Sequence, residues 1–169
     1  VMISVVLTQP REAHHLARSL AALVPAAVEG LVRDALVLGD SASEEMLAVT
    51  EAAGAEFFAH HQLADAVRTA RGDWLLVMEG GARPLDGWMG EVRAFVADAD
   101  GASAVFTLAG SRLGRLAHYF SRPPALRRGL LIRREEAAEA ARSACHIETL
   151  ARRRGSRRLA ARLEPPARA

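Results

Sequence analysis

With 169 residues, half of them apolar and a quarter charged, the chain is long enough for one domain with a buried core and too apolar to be disordered. Every basic residue is Arg, and the net charge of +2 conceals an asymmetry: residues 1–109 hold seven Arg and fifteen acids, residues 110–169 fifteen Arg and five acids. The single Cys145 excludes an internal disulfide and suits a reducing compartment, and no apolar run approaches the roughly 20 residues of a membrane span.

The first stretch, Ile3-Ser4-Val5-Val6-Leu7-Thr8, is β-branched and apolar and reads as a central parallel strand. Gln9-Pro10 breaks it, and residues 14–23 read as a helix with Leu16, Leu20 and Leu23 on one face. Ala35-Leu36-Val37-Leu38 is a second strand, followed by Gly39-Asp40-Ser41-Ala42-Ser43-Glu44. Either Ser41 or Ser43 offers a cap for a helix reaching residue 53, with Glu44 and Glu45 favourable in its first turn. A short strand over 55–58, a helix over 63–70 and the apolar run Trp74-Leu75-Leu76-Val77-Met78 follow. Glu79 ends that run, and Gly80, Gly81 and Pro84 predict a turn before a helix from Trp88 to residue 96.

Residues 98–101 read as a turn and 104–107 as a strand. A short helical pattern carries Leu113, Leu116, Ala117 and Phe120 and stops at Pro123-Pro124. Gly129-Leu130-Leu131-Ile132-Arg133-Arg134 reads as a strand, 135–142 and 146–155 as helices, and 157–163 as a last strand, with Pro165-Pro166 ending the ordered chain. Alternating strands and helices signify a mostly parallel α/β sheet. Right-handed crossovers then bring Thr8, Asp40 and Glu79 to one sheet edge, where open α/β sheets take their ligands.

The phrase Ala70-Arg71-Gly72-Asp73-Trp74, the apolar run, Glu79 and the downstream Trp88 together resemble the central motif of family 2 glycosyltransferases. In that family an Asp-x-Asp motif stands where this chain has Glu79-Gly80-Gly81. The resemblance implies a single GT-A-like, Rossmann-like domain over 1–163, with a nucleotide-binding half (1–108), an acceptor-side half (109–163) and a tail (164–169). It also implies transfer of a sugar from a nucleotide-sugar donor to an acceptor, with a catalytically silent nucleotide- or protein-binding domain as the alternative.

The resemblance carries residue roles with it. Thr8 and Glu12 keep part of the family's first turn, Asp40 matches the second acid of its Asp-Asp-Gly-Ser phrase, and Asp65 and Arg68 fall where the base and diphosphate are read. Glu79 would hold Mg²⁺ or Mn²⁺, hard cations that take oxygen ligands and share their shell with phosphate. Glu148 stands near the family's catalytic base and would take the acceptor's proton. A metal-independent alternative replaces the cation with Arg.

Several other features have simpler readings. Asp40 is equally suited to capping a helix, and the simpler reading of Glu79 and Glu148 is a solvated acid. Arg152, Arg153, Arg154, Arg157 and Arg158 form a basic run that fits a solvated face, a diphosphate or an anionic membrane surface. Nucleic acid is not expected, because aromatic residues are not interleaved with the arginines. Paired histidines at 14–15 and 60–61 lack the spacing of a helical zinc site. Cys145 and His146 are neighbours whose side chains would diverge on a helix. A cytoplasmic protein, peripheral to a membrane at most, is the expectation, with a homodimer face as a further option.

Overall fold

The computed structural model describes residues 1–98, 102–109, 125–143 and 156–166. Its elements are β1 (Ile3–Thr8), α1 (Ala13–Val28), β2 (Val32–Gly39), α2 (Glu44–Ala52), β3 (Glu56–Ala59), α3 (Leu63–Thr69) and β4 (Trp74–Glu79). There follow β5 (Arg83–Pro84), α4 (Trp88–Asp98), β6 (Ala104–Leu108), a 3-10 turn (Ala125–Arg128), β7 (Leu130–Arg133), α5 (Arg134–Ser143) and β8 (Arg157–Glu164). The strands form one sheet in the order β3-β2-β1-β4-β7-β6-β8-β5. The β1–β2, β1–β4, β2–β3 and β6–β8 ladders are parallel, and β7 and β5 run against their neighbours.

Strand alternation divides the core into two layers. Val5, Leu7, Leu76 and Met78 face Leu16, Leu20 and Leu23 of α1 and Trp88, Val92 and Phe95 of α4. Val6, Leu75 and Val77 face Leu63, Ala66 and Val67 of α3 and Ala137 and Ala140 of α5. The central strands are buried on both faces, which is why they read as unbroken apolar runs. No helix among the described residues is long and apolar enough to cross a membrane.

The Arg71-Gly72-Asp73 approach to β4 has a packing cause. A Cβ on Gly72 would lie 2.5 Å from the Ile3 carbonyl carbon and closer still to the Ser4 amide nitrogen. The Gly72 amide donates to Ser4 Oγ at 2.8 Å, the Asp73 amide donates to the Met2 carbonyl at 3.0 Å, and the Ser4 hydroxyl donates to Asp34. Asp34 also accepts from the Arg71 amide at 3.1 Å, so β1, β2 and β4 are tied together at their amino ends.

Helix α1 continues five residues beyond the expected end, through Pro25, to Val28. Proline inside a helix gives no amide to the carbonyl four residues earlier, but Leu23 and Ala26 are buried on either side of it and hold the last turn. One expectation needs correction. The segment after Gly81 is not all turn, since Arg83 and Pro84 pair with Glu164 and Leu163. Pro166, the last described residue, packs on Gly81. The helical patterns over 113–120 and 146–155, with Cys145, His146 and Arg152 to Arg154, lie outside the described residues.

Replacing Gly72 with Ala is expected to destabilise the fold by about 3 kcal/mol, because backbone rather than a movable side chain occupies the space. Denaturant unfolding monitored by Trp fluorescence checks this.

Candidate functional site

Register brings the carboxyl ends of the strands together as expected. Thr8 pairs with Glu79 on one side and with Leu38 on the other, and Gly39 pairs with Ala59 of β3. The backbone then closes the edge: the Gly80 amide donates to the Thr8 carbonyl at 2.7 Å and the Gln9 amide to the Leu38 carbonyl at 2.8 Å. Gln9 takes a left-handed backbone (φ 48°), a conformation few residues with a side chain adopt and one that concentrates at functional sites.

Over this edge lies a cavity of about 150 Å³ lined by Gln9, Arg11, His15, Glu79, Gly80, Arg127 and Pro166. A larger open cavity of about 530 Å³ lies between the loops after β1 and β2, bounded by residues including Arg11, Glu12, His14, Ser41, Ser43 and Glu45. Arg11 lines both. Arg127 arrives from late in the chain because β7 runs antiparallel to β4, with Leu130 opposite Val77, so the turn before β7 reaches the same edge as Glu79. Buried Leu126 anchors that turn, and the Gly129 amide donates to the Leu126 carbonyl at 3.1 Å.

The expected site residues divide in their placement. Glu79 is half-buried in the cavity wall. Thr8 is 2% exposed, and its hydroxyl makes only a long contact of 3.4 Å to the Met78 carbonyl, so it serves the edge through its backbone. Glu12 stands at the start of α1, 3.1 Å from His14 Nδ1, and borders the larger cavity. Asp40 is 93% exposed beside β2, 3.8 Å from His60 Nε2. It does not cap α2: Ser43 does, accepting from the Met46 amide at 3.2 Å.

Asp65 and Arg68 pair with each other at 2.7 Å on α3. Neither lines the cavity holding Glu79. Glu148 lies outside the described residues. From the basic run, Arg157 and Arg158 are exposed at the amino end of β8, beside Ala104 and Val105, at the sheet edge opposite Glu79. Sequence reasoning passed over Arg11, His15 and Arg127; the available signal was that Arg11 directly follows a strand-ending Gln9-Pro10 turn and Arg127 stands two residues before a Gly-led strand.

The turn after Glu79 bears on a cation. Gly81 has φ 96°, and a Cβ there would lie 2.9 Å from Pro166 Cβ and 3.3 Å from His15 Cβ. Its amide donates to the buried Ser19 Oγ at 2.8 Å, and Ser19 in turn donates to the Ala82 carbonyl at 2.7 Å, which fixes the turn. A second carboxylate two residues after Glu79 therefore has no room. Among the described residues no group of three His, Cys, Asp or Glu is placed to share a metal ion. A hard divalent cation needs six or more oxygen ligands, several of them anionic or from phosphate, and the described residues do not fit one as a resident group.

Pro166 is held over this turn by Glu164, which accepts from Arg18 Nη2 at 2.7 Å and from Arg83 Nε. The hydrogen bond from Arg83, joined by the charges of Arg83 and Arg18, lowers the Glu164 carboxyl below its ordinary 4.5, with burial opposing them.

No family model matches the sequence, and no curated protein sequence matches it. Solved structures do match. Mannosyl-3-phosphoglycerate synthase from Rubrobacter xylanophilus superposes with a TM-score of 0.63 at 14% identity, covering 100% of this chain and 67% of that one. Glucosyl-3-phosphoglycerate synthase from Mycobacterium tuberculosis, in complex with Mn²⁺, UDP-glucose and phosphoglyceric acid, gives 0.58 at 19% identity, covering 80% of this chain and 57% of that one. The chain has the fold of GT-A glycosyltransferases and spans about three fifths to two thirds of the length of these structures.

The lowered Glu164 fixes the sign of a pH effect. A carboxyl with a depressed folded-state value contributes stability that is whole above its ordinary value and is lost as pH falls through the lowered one. Thermal melts below pH 4.5 should therefore decline less steeply in Glu164→Gln than in the native chain. Equal slopes would mean that the ion pairs contribute nothing.

Proposed function

We propose that this chain is a glycosyltransferase domain that takes a nucleotide sugar at the carboxyl edge of its sheet and moves the sugar to an acceptor. The observation that carries the reading is the register of β2, β1 and β4, which brings Gly39, Thr8 and Glu79 to one sheet edge within a GT-A fold. Support comes from the M. tuberculosis structure, whose ligands are Mn²⁺, UDP-glucose and phosphoglyceric acid.

In this reading Asp40 accepts a hydrogen bond from the nucleoside, Glu12 and the backbone of Thr8 line its approach, and Asp65 and Arg68 form the outer wall. Glu79 accepts from a sugar hydroxyl. Glu148 removes the proton of the acceptor hydroxyl as its oxygen attacks the anomeric carbon and the bond to the diphosphate breaks. A single displacement of this kind inverts the anomeric centre. Residues 1–108 hold the donor and 109–163 the acceptor side. A divalent cation, which would stabilise the departing diphosphate in a related enzyme, is not assigned a step here.

One observation favours a second reading, in which the domain binds a nucleotide sugar without transferring it: Pro166 and His15 fill the space beside Gly81. Calorimetric titration with UDP-, GDP- and dTDP-sugars, followed by a turnover assay on whichever binds, separates the two. Asp40→Ala should weaken binding by about tenfold, the worth of one hydrogen bond to a charged group, and Glu148→Gln should abolish turnover while leaving binding intact. Binding with no release of nucleotide diphosphate under any acceptor would select the silent module. Absence of binding by all three donor classes would sink both.

A further inference from the structure

We infer that the crevice neutralises its ligand's diphosphate with two guanidinium groups, Arg11 and Arg127, and not with a divalent cation. The inference rests on the proposed uptake of a nucleotide sugar and deepens it.

Three independent features converge on this assignment. The first is steric. The position two residues after Glu79 cannot carry a carboxylate while Pro166 and His15 stand against it, and the left-handed backbone of Gly81 disfavours any side chain there. Pro166 is not casually placed, since Glu164, two residues earlier, is clamped by Arg18 and Arg83.

The second feature is the charge left in the cavity. Its wall carries one acid, Glu79, and two arginines, Arg11 and Arg127, with His15 beside them. Arg18 and Arg83 are committed to Glu164, whereas neither Arg11 nor Arg127 forms a salt bridge among the described residues. A guanidinium presents a planar fork of donors that matches the oxygens of a phosphate, stays charged at any working pH and is less strongly hydrated than an ammonium. Two of them supply the charge of one divalent cation, already positioned where the leaving group's charge develops.

The third feature is the layout. Arg11 is shared between the small cavity and the larger one, so it stands where a ligand spanning both has its middle. In a nucleotide sugar that middle is the diphosphate. The small cavity, with Glu79 as hydroxyl acceptor, then receives the sugar, and the larger one, bounded by Ser41, Ser43 and Glu45, the nucleoside. Arg127 closes the small cavity from the β7 side and reaches the sugar-proximal phosphate.

The test is calorimetry of UDP-glucose, GDP-mannose, dTDP-glucose and inorganic pyrophosphate on EDTA-treated protein, repeated with Mn²⁺. Arg11→Gln, Arg127→Gln and Glu79→Gln are measured alongside, with thermal melts to verify folding. The expected result is a nucleotide sugar bound equally well with and without Mn²⁺, pyrophosphate bound in EDTA, and about tenfold weaker binding of both in each Arg variant. Glu79→Gln, which removes the one acid of the cavity wall, should bind pyrophosphate at least as tightly as the native chain. Nucleotide-sugar binding that requires Mn²⁺, or that neither Arg substitution weakens, overturns this inference and leaves the proposed uptake standing. If no nucleotide sugar binds in any condition, the proposed uptake falls and this assignment with it.

Discussion

The tight approach of the Gly72 backbone to Ile3 and Ser4 governs the rest of the structure. Once Gly72 lies there, its amide on Ser4 Oγ, β4 has one register against β1, and seven residues later Glu79 stands opposite Thr8. A slip of one residue would turn Leu75 and Val77 toward the α1 layer and Leu76 and Met78 toward the α3 layer. The network through Ser4 and Asp34 extends the same constraint to β2. The amino edge of the sheet thus specifies the geometry of the carboxyl edge, a whole strand length away.

Two late segments reach that carboxyl edge by opposite routes. A parallel strand delivers its end there, as β8 does with Glu164, Pro165 and Pro166; an antiparallel strand delivers its beginning, as β7 does with Arg127 and Gly129. Inserting β7 between β4 and β6 is therefore more than a topological irregularity. It lets a residue from the basic part of the chain face the acidic part across the crevice. The Glu164 clamp runs the other way, an acid of the basic part held by two arginines of the acidic part.

The fold was legible because its central strands are buried on both faces, and such strands announce themselves as apolar runs without reference to partners. Gly72 was legible too, as part of a phrase, although only the packing explains why glycine is required. What the sequence could not display were effects of distant residues. β5 is two residues long and exists through pairing with β8, so no local pattern marks it. Thr8 is polar and ends a strand, yet the pleat turns its hydroxyl inward toward Met78. Pro165-Pro166 read only as an end to the chain's order, and nothing local marks the packing of Pro166 on Gly81. Arg127 carried no signal stronger than its neighbours, because an arginine becomes a crevice residue through the direction of the strand that follows it.

The contact between Pro166 and Gly81 also shapes which variants of this sequence are reachable one step at a time. Residues 81, 166 and 15 share a single small volume, so none can enlarge unless another first shrinks or moves. An acid at 81 arriving alone meets a proline from the far end of the chain; a smaller residue at 166 arriving alone leaves an unfilled hollow beside His15. Between this crevice and one bearing two carboxylates lies a valley that only coordinated changes cross. The three positions therefore form one coupled unit of variation, although 151 positions separate the first from the last.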